Sequence, residues 1–150
     1  MKILVTGGTG FIGSHTCVEL INQGYHPVIL DNLSNSSTDI LKKITEITKM
    51  DAIPFFEGDI RDEMVLKKIF KTHQIKSVIH FAGLKSVEES IQNPIKYYNN
   101  NVSGTINLLK EMCRADVKTI IFSSSATVYG APKILPIKES HSIGKISNPY

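Results

Sequence analysis

The sequence predicts an α/β fold in which helices cover both faces of a doubly wound parallel sheet. Short runs rich in Val, Ile and Phe alternate with longer segments of helical pattern, and each run is hydrophobic throughout rather than at every second position. Strands that are buried on both faces have this continuous pattern. A repeated strand–helix–strand order gives parallel strands that are joined by right-handed crossovers.

Each apolar run predicts one strand, and the segments between the runs predict helices. The predicted strands span residues 2–6, 27–31, 53–57, 77–81 and 118–123. The predicted helices span residues 12–23, 38–48, 62–73 and 94–115. A chain of 150 residues is long enough to form one domain with a buried core.

Residues with known end preferences mark the limits of the predicted helices. Gly24 favours the left-handed turn that closes the first helix. Ser37 or Thr38 suits the N-cap of the second helix, and Asp62 suits that of the third. Pro94 suits the first turn of the fourth helix. Four apolar residues of that helix are expected to face the core, namely Ile106, Leu108, Leu109 and Met112.

The composition and the charge pattern exclude several functions. The 17 basic and 14 acidic residues are scattered and give a net charge of +3, so there is no basic stripe to bind nucleic-acid phosphates. A membrane span needs about 20 apolar residues, far more than any apolar run of this sequence. The histidines lack metal-ligand spacing, so no metal is expected. Cys17 and Cys113 form no CxxC pair and are expected to be free thiols in a reducing cytoplasm.

The segment between the first strand and the first helix predicts a phosphate-binding loop. It reads Thr-Gly-Gly-Thr-Gly-Phe-Ile-Gly. Gly7 permits a tight turn, Gly10 lets a pyrophosphate approach the backbone, and Gly13 lets the helix pack closely on the strand. The helix N-terminus then offers unpaired N–H groups and about half a positive charge to the phosphates. The glycine pattern by itself also fits a plain turn.

An acidic residue at the end of the second predicted strand strengthens the prediction of a dinucleotide site, which the glycines alone do not establish. Asp31 follows Gly13 at the distance where a carboxylate accepts hydrogen bonds from the adenosine ribose. Its charge disfavours the extra phosphate of NADP, and no Lys or Arg lies within residues 32–37 to receive that phosphate. Residues 1–150 are therefore predicted to form a Rossmann-like domain that binds NAD.

Other candidates lie at the carboxyl ends of the remaining strands, where ligands bind in such sheets. Asp59 and Ile60 follow the third strand and could border the adenine, although Asp59 also fits a turn or a helix cap. Phe81, Ala82 and Gly83 follow the fourth strand, where small residues would let the cofactor lie against the backbone.

Several segments together resemble the UDP-glucose 4-epimerases of the extended short-chain dehydrogenase/reductase family. The glycine loop is common to many members, whereas Phe-Ala-Gly-Leu-Lys and Tyr-Tyr-Asn-Asn-Asn-Val are more particular to these epimerases. The resemblance covers essentially the whole chain, and its segments are residues 6–13, 31–36, 80–90, 97–104, 123–130 and 148–150.

The resemblance implies a set of NAD-binding residues that is spread along the chain. Those near the pyrophosphate and the adenosine are Gly7, Gly10, Phe11, Ile12, Gly13, Asp31, Asn32, Leu33, Ser34, Asn35, Ser36, Asp59 and Ile60. Those near the nicotinamide and its ribose are Phe81, Ala82, Gly83, Leu84, Lys85, Asn100, Ser125 and Tyr150.

The resemblance also implies a reaction, the interconversion of UDP-glucose and UDP-galactose by transient oxidation at C4. Tyr150 is the implied base, and Ser125 the residue that hydrogen-bonds the reacting hydroxyl. The implied substrate contacts are Lys85, Ser125, Ala126, Thr127 and Tyr150.

A tyrosine base needs help, because its ordinary pKa is about 10. The family supplies a lysine four residues after the tyrosine, and this sequence ends at Tyr150. We therefore expect a fold that is incomplete at its C-terminal end, without the substrate domain. The 150-residue chain alone is expected to bind NAD without turnover.

Two other functions fit the same residues. One is a related nucleotide-sugar epimerase or dehydratase, which the substrate pocket would distinguish. The other is a non-catalytic NAD-binding module, which would bind the cofactor and turn nothing over. The resemblance further implies a homodimer in the full-length enzyme, formed through the fourth predicted helix and a helix that begins near Tyr150.

Some residues of these segments also have a purely structural interpretation. His80 lies in a predicted buried strand and is expected to be a hydrogen-bonded core residue. Tyr97 and Tyr98 are expected to be packing residues with solvated hydroxyls. Without the resemblance, residues 123–125 also fit turn chemistry at a strand end, and Lys85 fits a surface lysine.

Overall fold

The computed structural model describes residues 1–132, 134–145 and 147–150. Within them, five parallel strands form one sheet in the order β3-β2-β1-β4-β5. This is the strand order of a Rossmann-like fold, which runs outward from a central first strand. The strands are β1 (Lys2–Thr6), β2 (His26–Asp31), β3 (Phe55–Glu57), β4 (Ile75–His80) and β5 (Ile120–Phe122).

Helices lie between the strands and cover the sheet on both sides. A π-helical turn (Tyr98–Ser103) joins α5 to α6, and a 3-10 turn (Ala126–Tyr129) follows β5. Among the helices that the structure describes, none has the length and apolar character that a membrane span requires. The α-helices are α1 (Phe11–Asn22), α2 (Asp39–Thr48), α3 (Glu63–Thr72), α4 (Val87–Gln92), α5 (Pro94–Tyr97) and α6 (Gly104–Arg114).

Two apolar clusters, one on each face of the sheet, form the core. On one face, Ile3, Val5 and Ile29 pack with Cys17 of α1 and Ile44 of α2. Burial raises the pKa of the Cys17 thiol to about 12, so this thiol stays protonated. Because alternate strand residues point to opposite faces, two covered faces explain the continuous apolar runs. The opposite face packs on α3 and α6 through Leu4, Val28, Leu30, Val78, Leu66, Ile69, Leu108 and Met112.

The predicted strands and most of the predicted helix ends are present. β1 occupies the predicted residues, while β3 and β5 are shorter than predicted because only three residues of each pair with a neighbouring strand. Gly24 has a φ of +79°, as the left-handed turn requires. The Asp62 carboxylate accepts hydrogen bonds from the backbone N–H groups of Met64 and Val65. Pro94 is the first residue of α5.

The region of the fourth predicted helix differs from the prediction in three respects. A π-helical turn interrupts it, and the short helix α4 precedes it. Leu108 and Met112 are buried, but Ile106 and Leu109 are 47% and 41% exposed. The predicted burial of Ile106 and Leu109 was therefore wrong. A helix turns about 100° per residue, so the two pairs lie on different faces of α6.

The strand register brings the carboxyl ends of the central strands together. Thr6, the last residue of β1, pairs with Leu30 of β2 and with His80 of β4. Asp31, the last residue of β2, pairs with Glu57 of β3. The loops that leave these strands therefore share one edge of the sheet, where ligands bind in folds of this kind.

Candidate dinucleotide site

A cleft of about 630 Å³ opens at the carboxyl ends of the central strands. Its walls come from the loop between β1 and α1, the segments after β2, β3 and β4, and the start of the helical region 94–103. Most of the predicted cofactor residues line it, namely Gly7, Gly10, Phe11, Ile12, Gly13, Asp31, Asn32, Ser34, Asn35, Ile60, Phe81, Ala82, Gly83, Leu84, Lys85 and Asn100.

The glycine loop has no room for side chains at two positions. Gly7 has a φ of +68°, and a Cβ atom there would lie 2.7 Å from the backbone nitrogen of Ala82. A Cβ atom on Gly13 would overlap the carbonyl oxygen of Gly7 and lie 2.8 Å from the Cα of Gly8. These contacts are with backbone, which cannot rotate away as a side chain can. The glycines thus let the loop pack between β4 and α1.

The amino end of α1 remains available to an anion. Its N-cap is Gly10, which has no side chain to accept the first N–H groups, and its first turn has no acidic residue. Phe11 and Ile12, the first residues of the helix, line the cleft. Unpaired N–H groups and the helix dipole therefore meet at the point where the sequence predicts a pyrophosphate.

Asp31 joins the glycine loop to the segment after β2. Its carboxylate is buried, with 7% of the residue exposed. One carboxylate oxygen accepts a hydrogen bond from the Thr9 N–H at 3.0 Å, and the other accepts one from the Leu33 N–H at 3.0 Å. The Ser36 hydroxyl also lies within donating distance of the second oxygen, at 3.5 Å. A carboxylate has about four lone-pair sites, so Asp31, which lines the cleft, retains acceptor capacity. Ribose hydroxyls are suitable donors for that capacity.

Asp59 forms a two-point ion pair with Arg61. The guanidinium Nε and Nη2 atoms lie 2.8 Å from the two carboxylate oxygens, and the Asn32 side chain donates to the same carboxylate at 2.9 Å. The Arg61 hydrogen bonds hold the pKa of Asp59 well below its ordinary value. The Arg61 N–H also donates to Asp59 at 2.9 Å, which is a turn contact. Asp59 therefore stabilises a turn, which is one of the two roles that the sequence allows for it.

Arg61 is a cleft residue that the sequence analysis missed. The prediction that no cation lies near the ribose rests only on the segment after β2, whereas Arg61 follows β3. A signal existed, because Arg61 lies two residues after a strand-end carboxylate. Since Asp59 neutralises it through two hydrogen bonds, Arg61 is not a free receptor for an additional phosphate.

Some predicted residues lie outside the main cleft. Leu33 and Ser36 line a neighbouring groove of about 730 Å³ between α1, α2 and the loop that joins β2 to α2. Ser125, Ala126 and Thr127 are not among the described residues that line the cleft, although Ser123 is.

The two predicted catalytic residues are held in different ways. Ser125 precedes the 3-10 turn, and its hydroxyl oxygen accepts hydrogen bonds from the Thr127 N–H at 3.2 Å and the Thr127 hydroxyl at 3.0 Å. Tyr150 lies beside the cleft residue Lys85, whose Nζ atom is 5.9 Å from the centre of the tyrosine ring. The structure thus associates Tyr150 with a predicted cofactor residue.

His80 is the hydrogen-bonded core residue that the sequence predicts. It is 2% exposed, and its two ring nitrogens contact the hydroxyls of Thr6 at 2.6 Å and Thr105 at 2.9 Å. Burial, with a smaller contribution from Lys85, lowers its pKa to about 4. Tyr97 differs from the prediction, because its hydroxyl is bonded inside the protein rather than to solvent.

The strand order, the glycine loop and the strand-end carboxylate define a Rossmann-like dinucleotide-binding domain. The chain belongs to the family described as GDP-mannose 4,6 dehydratase, whose model matches residues 4–150. Its similarity to the UDP-glucose 4-epimerases, which the sequence motifs suggest, is confirmed by curated relatives and by solved structures.

The relatives match the whole chain but only part of their own length. The chain is 57% identical over 150 residues to UDP-glucose 4-epimerase of Haemophilus influenzae, covering 100% of this chain and 44% of the relative. It is 58% identical over 149 residues to the enzyme of Neisseria meningitidis serogroup B, covering 99% of this chain and 44% of that one. The crystal structure of UDP-glucose 4-epimerase from Bifidobacterium longum in complex with NAD+ and UDP matches with a TM-score of 0.97 and 50% identity. The match covers 100% of this chain and 44% of that chain.

Proposed function

We propose that this chain is the NAD-binding part of an enzyme that interconverts UDP-glucose and UDP-galactose by transient oxidation at C4. The observation that carries the proposal is the cleft in which the glycine loop, Asp31 and the segment after β4 face one another. Support comes from the relatives, which are UDP-glucose 4-epimerases, one of them crystallised with NAD+ and UDP. The proposal includes a cytoplasmic location and a part in galactose metabolism.

The cleft fits a dinucleotide at both of its ends. At the amino end of α1, the first N–H groups have no side-chain cap and no acidic neighbour in the first turn, so they can donate to the pyrophosphate. At the end of β2, the Asp31 carboxylate retains acceptors for the ribose hydroxyls. Its negative charge, and the pairing of Arg61 with Asp59, disfavour the additional phosphate of NADP. Asp59 and Ile60 would border the adenine.

The proposed chemistry divides between the cofactor and this chain. NAD, when bound, would supply the hydride acceptor and donor for C4. Tyr150 would take the proton of the C4 hydroxyl, and Ser125 would hydrogen-bond that hydroxyl. Ala126 and Thr127 would contact the sugar. Because the family lysine that follows the tyrosine is not within these 150 residues, we propose that the chain alone binds NAD without turnover.

Calorimetric titration with NAD tests the proposal directly. The wild-type chain is expected to bind NAD, and Asp31→Ala to bind it about tenfold or more weakly, since hydrogen bonds to a charged group contribute about 1.5–3 kcal/mol. Asp51→Ala, which removes an exposed carboxylate outside the cleft, is the matched control and is expected to bind like the wild type.

Two results would contradict the proposal. The assignment of NAD as the cofactor would be refuted if the wild-type chain did not bind NAD, or if the Asp31→Ala variant bound NAD with the affinity of the wild type. Conversion of UDP-galactose by the 150-residue chain at the rate of a full-length epimerase would refute the proposal that this chain alone is inactive.

A second candidate function is a related nucleotide-sugar epimerase or dehydratase. It is favoured by the family match, because that family is described by a dehydratase rather than by an epimerase. Product analysis of the full-length enzyme separates the two, since a dehydratase removes water from the sugar and an epimerase only inverts C4. Parallel assays with UDP-glucose and its N-acetylated counterpart would define the sugar specificity.

We further propose that the full-length enzyme is a homodimer. The proposal is supported by an exposed apolar stripe, whose residues recur at helical spacing along α5, the π-helical turn and α6. An apolar stripe of this kind on a helix surface is typical of a protein interface. Its members are Ile95, Tyr98, Val102, Ile106 and Leu109, with exposed fractions of 78%, 53%, 47%, 47% and 41%.

A further inference from the structure

We propose that Tyr97 and Asn101 are positioning residues that fix the backbone on either side of Lys85 and thereby hold this lysine in the cleft. The inference rests on the proposed function, in which Lys85 contacts the nicotinamide ribose. Lys85 lines the cleft and lies between Leu84 and Ser86, in a segment without regular secondary structure.

Asn101 holds the residue that precedes the lysine. Its amide oxygen accepts a hydrogen bond from the Leu84 N–H at 2.8 Å, and its amide nitrogen donates to the Leu84 carbonyl oxygen at 3.0 Å. Both polar groups of Leu84 are therefore bound by one side chain. Asn100 reinforces this arrangement, because its side-chain nitrogen donates to the same Asn101 oxygen at 2.9 Å.

Tyr97 holds the residue that follows the lysine. Its hydroxyl oxygen accepts a hydrogen bond from the Ser86 N–H at 3.0 Å and donates to a Glu89 carboxylate oxygen at 2.9 Å. The Tyr97 side chain is almost fully buried, at 1% exposure. The other Glu89 oxygen pairs with Lys96, so the carboxylate that orients the tyrosine hydroxyl is itself anchored.

The protonation states fix the direction of these bonds. The ion pair with Lys96 and the hydrogen bond from Tyr97 lower the pKa of Glu89, which therefore accepts as a carboxylate. Burial and the neighbouring Glu89 raise the pKa of Tyr97, so its hydroxyl retains the proton that it donates. The Tyr97 oxygen is then left with lone pairs for the Ser86 N–H.

The helical segment places the two side chains on one face. Residues four apart on a helix are neighbours, so Tyr97 and Asn101 reach the same loop, and they bind residues that are two apart in it. The π-helical turn begins directly after Tyr97 and includes Asn101, and such turns are frequent at functional sites. Lys85 thus has a fixed backbone, which restricts the region that its long side chain samples.

A double-mutant cycle separates this positioning role from a merely structural one. Tyr97→Phe removes the hydroxyl with its bonds to Ser86 and Glu89 and keeps the buried ring. It is expected to weaken NAD binding by about tenfold, the equivalent of losing the proposed hydrogen bond from Lys85 to the ribose. In a Lys85→Ala background, the same change is expected to alter the affinity by less than about twofold, because the residue that it positions is absent. Tyr98→Phe, which alters the adjacent exposed hydroxyl, is the control in both backgrounds.

Amide hydrogen exchange by NMR on the NAD-free chain tests the clamp independently of the proposed function. Tyr97→Phe is expected to accelerate exchange at Ser86, and Asn101→Ala at Leu84, while Tyr98→Phe and Asn99→Ala leave both amides protected. Unchanged exchange at Ser86 and Leu84 would overturn the clamp even if NAD binds. An equal loss of affinity with and without Lys85 would overturn the positioning role, whereas no NAD binding by the wild type, together with the expected exchange pattern, would refute only the proposed function.

Discussion

The buried imidazole of His80 should make the stability of this domain sensitive to mild acid. The Thr105 hydroxyl donates to the Asn101 carbonyl oxygen at 2.6 Å, so it can only accept from the His80 Nε2–H. The Nδ1 atom is then unprotonated and accepts from the Thr6 hydroxyl, whose oxygen accepts from the Ala82 N–H at 3.3 Å. Only the neutral imidazole satisfies this chain of hydrogen bonds, which connects the segment after β4 to the π-helical turn.

The magnitude follows from the difference in pKa between the folded and unfolded states. Burial lowers the pKa of His80 from an ordinary value of 6.5 to about 4 in the folded protein. Well above pH 6.5 the imidazole is neutral in both states, and its titration does not affect stability. Between pH 6.5 and 4 the unfolded chain binds a proton that the folded chain does not bind. The free energy of unfolding therefore falls by about 1.4 kcal/mol per pH unit, or about 3 kcal/mol across this range.

Urea unfolding followed by circular dichroism at pH 7 and pH 4.5 measures this loss. The wild type is expected to lose about 2–3 kcal/mol more than His80→Gln between the two pH values. The His73 pKa is also lowered by burial, but His73 is present in both proteins and cancels in the comparison. His26→Gln, at an exposed position at the start of β2, is the control and should behave like the wild type. An equal loss in wild type and His80→Gln would refute the reasoning, whatever the stability of the variant at pH 7.

Three further predictions concern the glycine loop, a helix cap and the apolar stripe. Gly13→Ala should abolish measurable NAD binding in calorimetry, because the new Cβ atom overlaps the Gly7 carbonyl oxygen; affinity like that of the wild type would show that the loop can move. Asp62→Ala should lower the free energy of unfolding by about 1 kcal/mol, because the N-cap of α3 is lost. The affinity of this variant for NAD should be unchanged. Ile106→Asp should convert a dimer of the full-length enzyme into monomers in light scattering; a dimer that persists would exclude this stripe as the interface.

Local pattern was sufficient for the five strands, for most of the helices, and for the glycine loop and Asp31 of the candidate site. The glycine loop and Asp31 could be located from the sequence because both lie directly at strand ends, and the strand ends follow from apolar runs. The same reasoning predicted a buried, hydrogen-bonded His80, which the structure confirms. It did not predict α4 or the π-helical turn, since six-residue helical elements leave little periodicity to detect.

The places of Arg61 and Tyr97 in the site depend on how separate elements of the fold pack together. Arg61 faces the cleft because β3 lies beside β2, and Tyr97 meets Ser86 because α5 folds back on the segment after β4. Both placements depend on where two separate elements pack, which the local sequence does not show.

The sequence by itself determined the order of strands and helices, the phosphate loop and the acid at the end of β2, because backbone preference and burial periodicity act over a few neighbouring residues. The tertiary structure decided which strand ends adjoin, which face of α6 remains exposed and how the backbone around Lys85 is held. Those features arise from packing and hydrogen bonding between distant segments, and the free energy of such contacts exists only once the sheet has assembled.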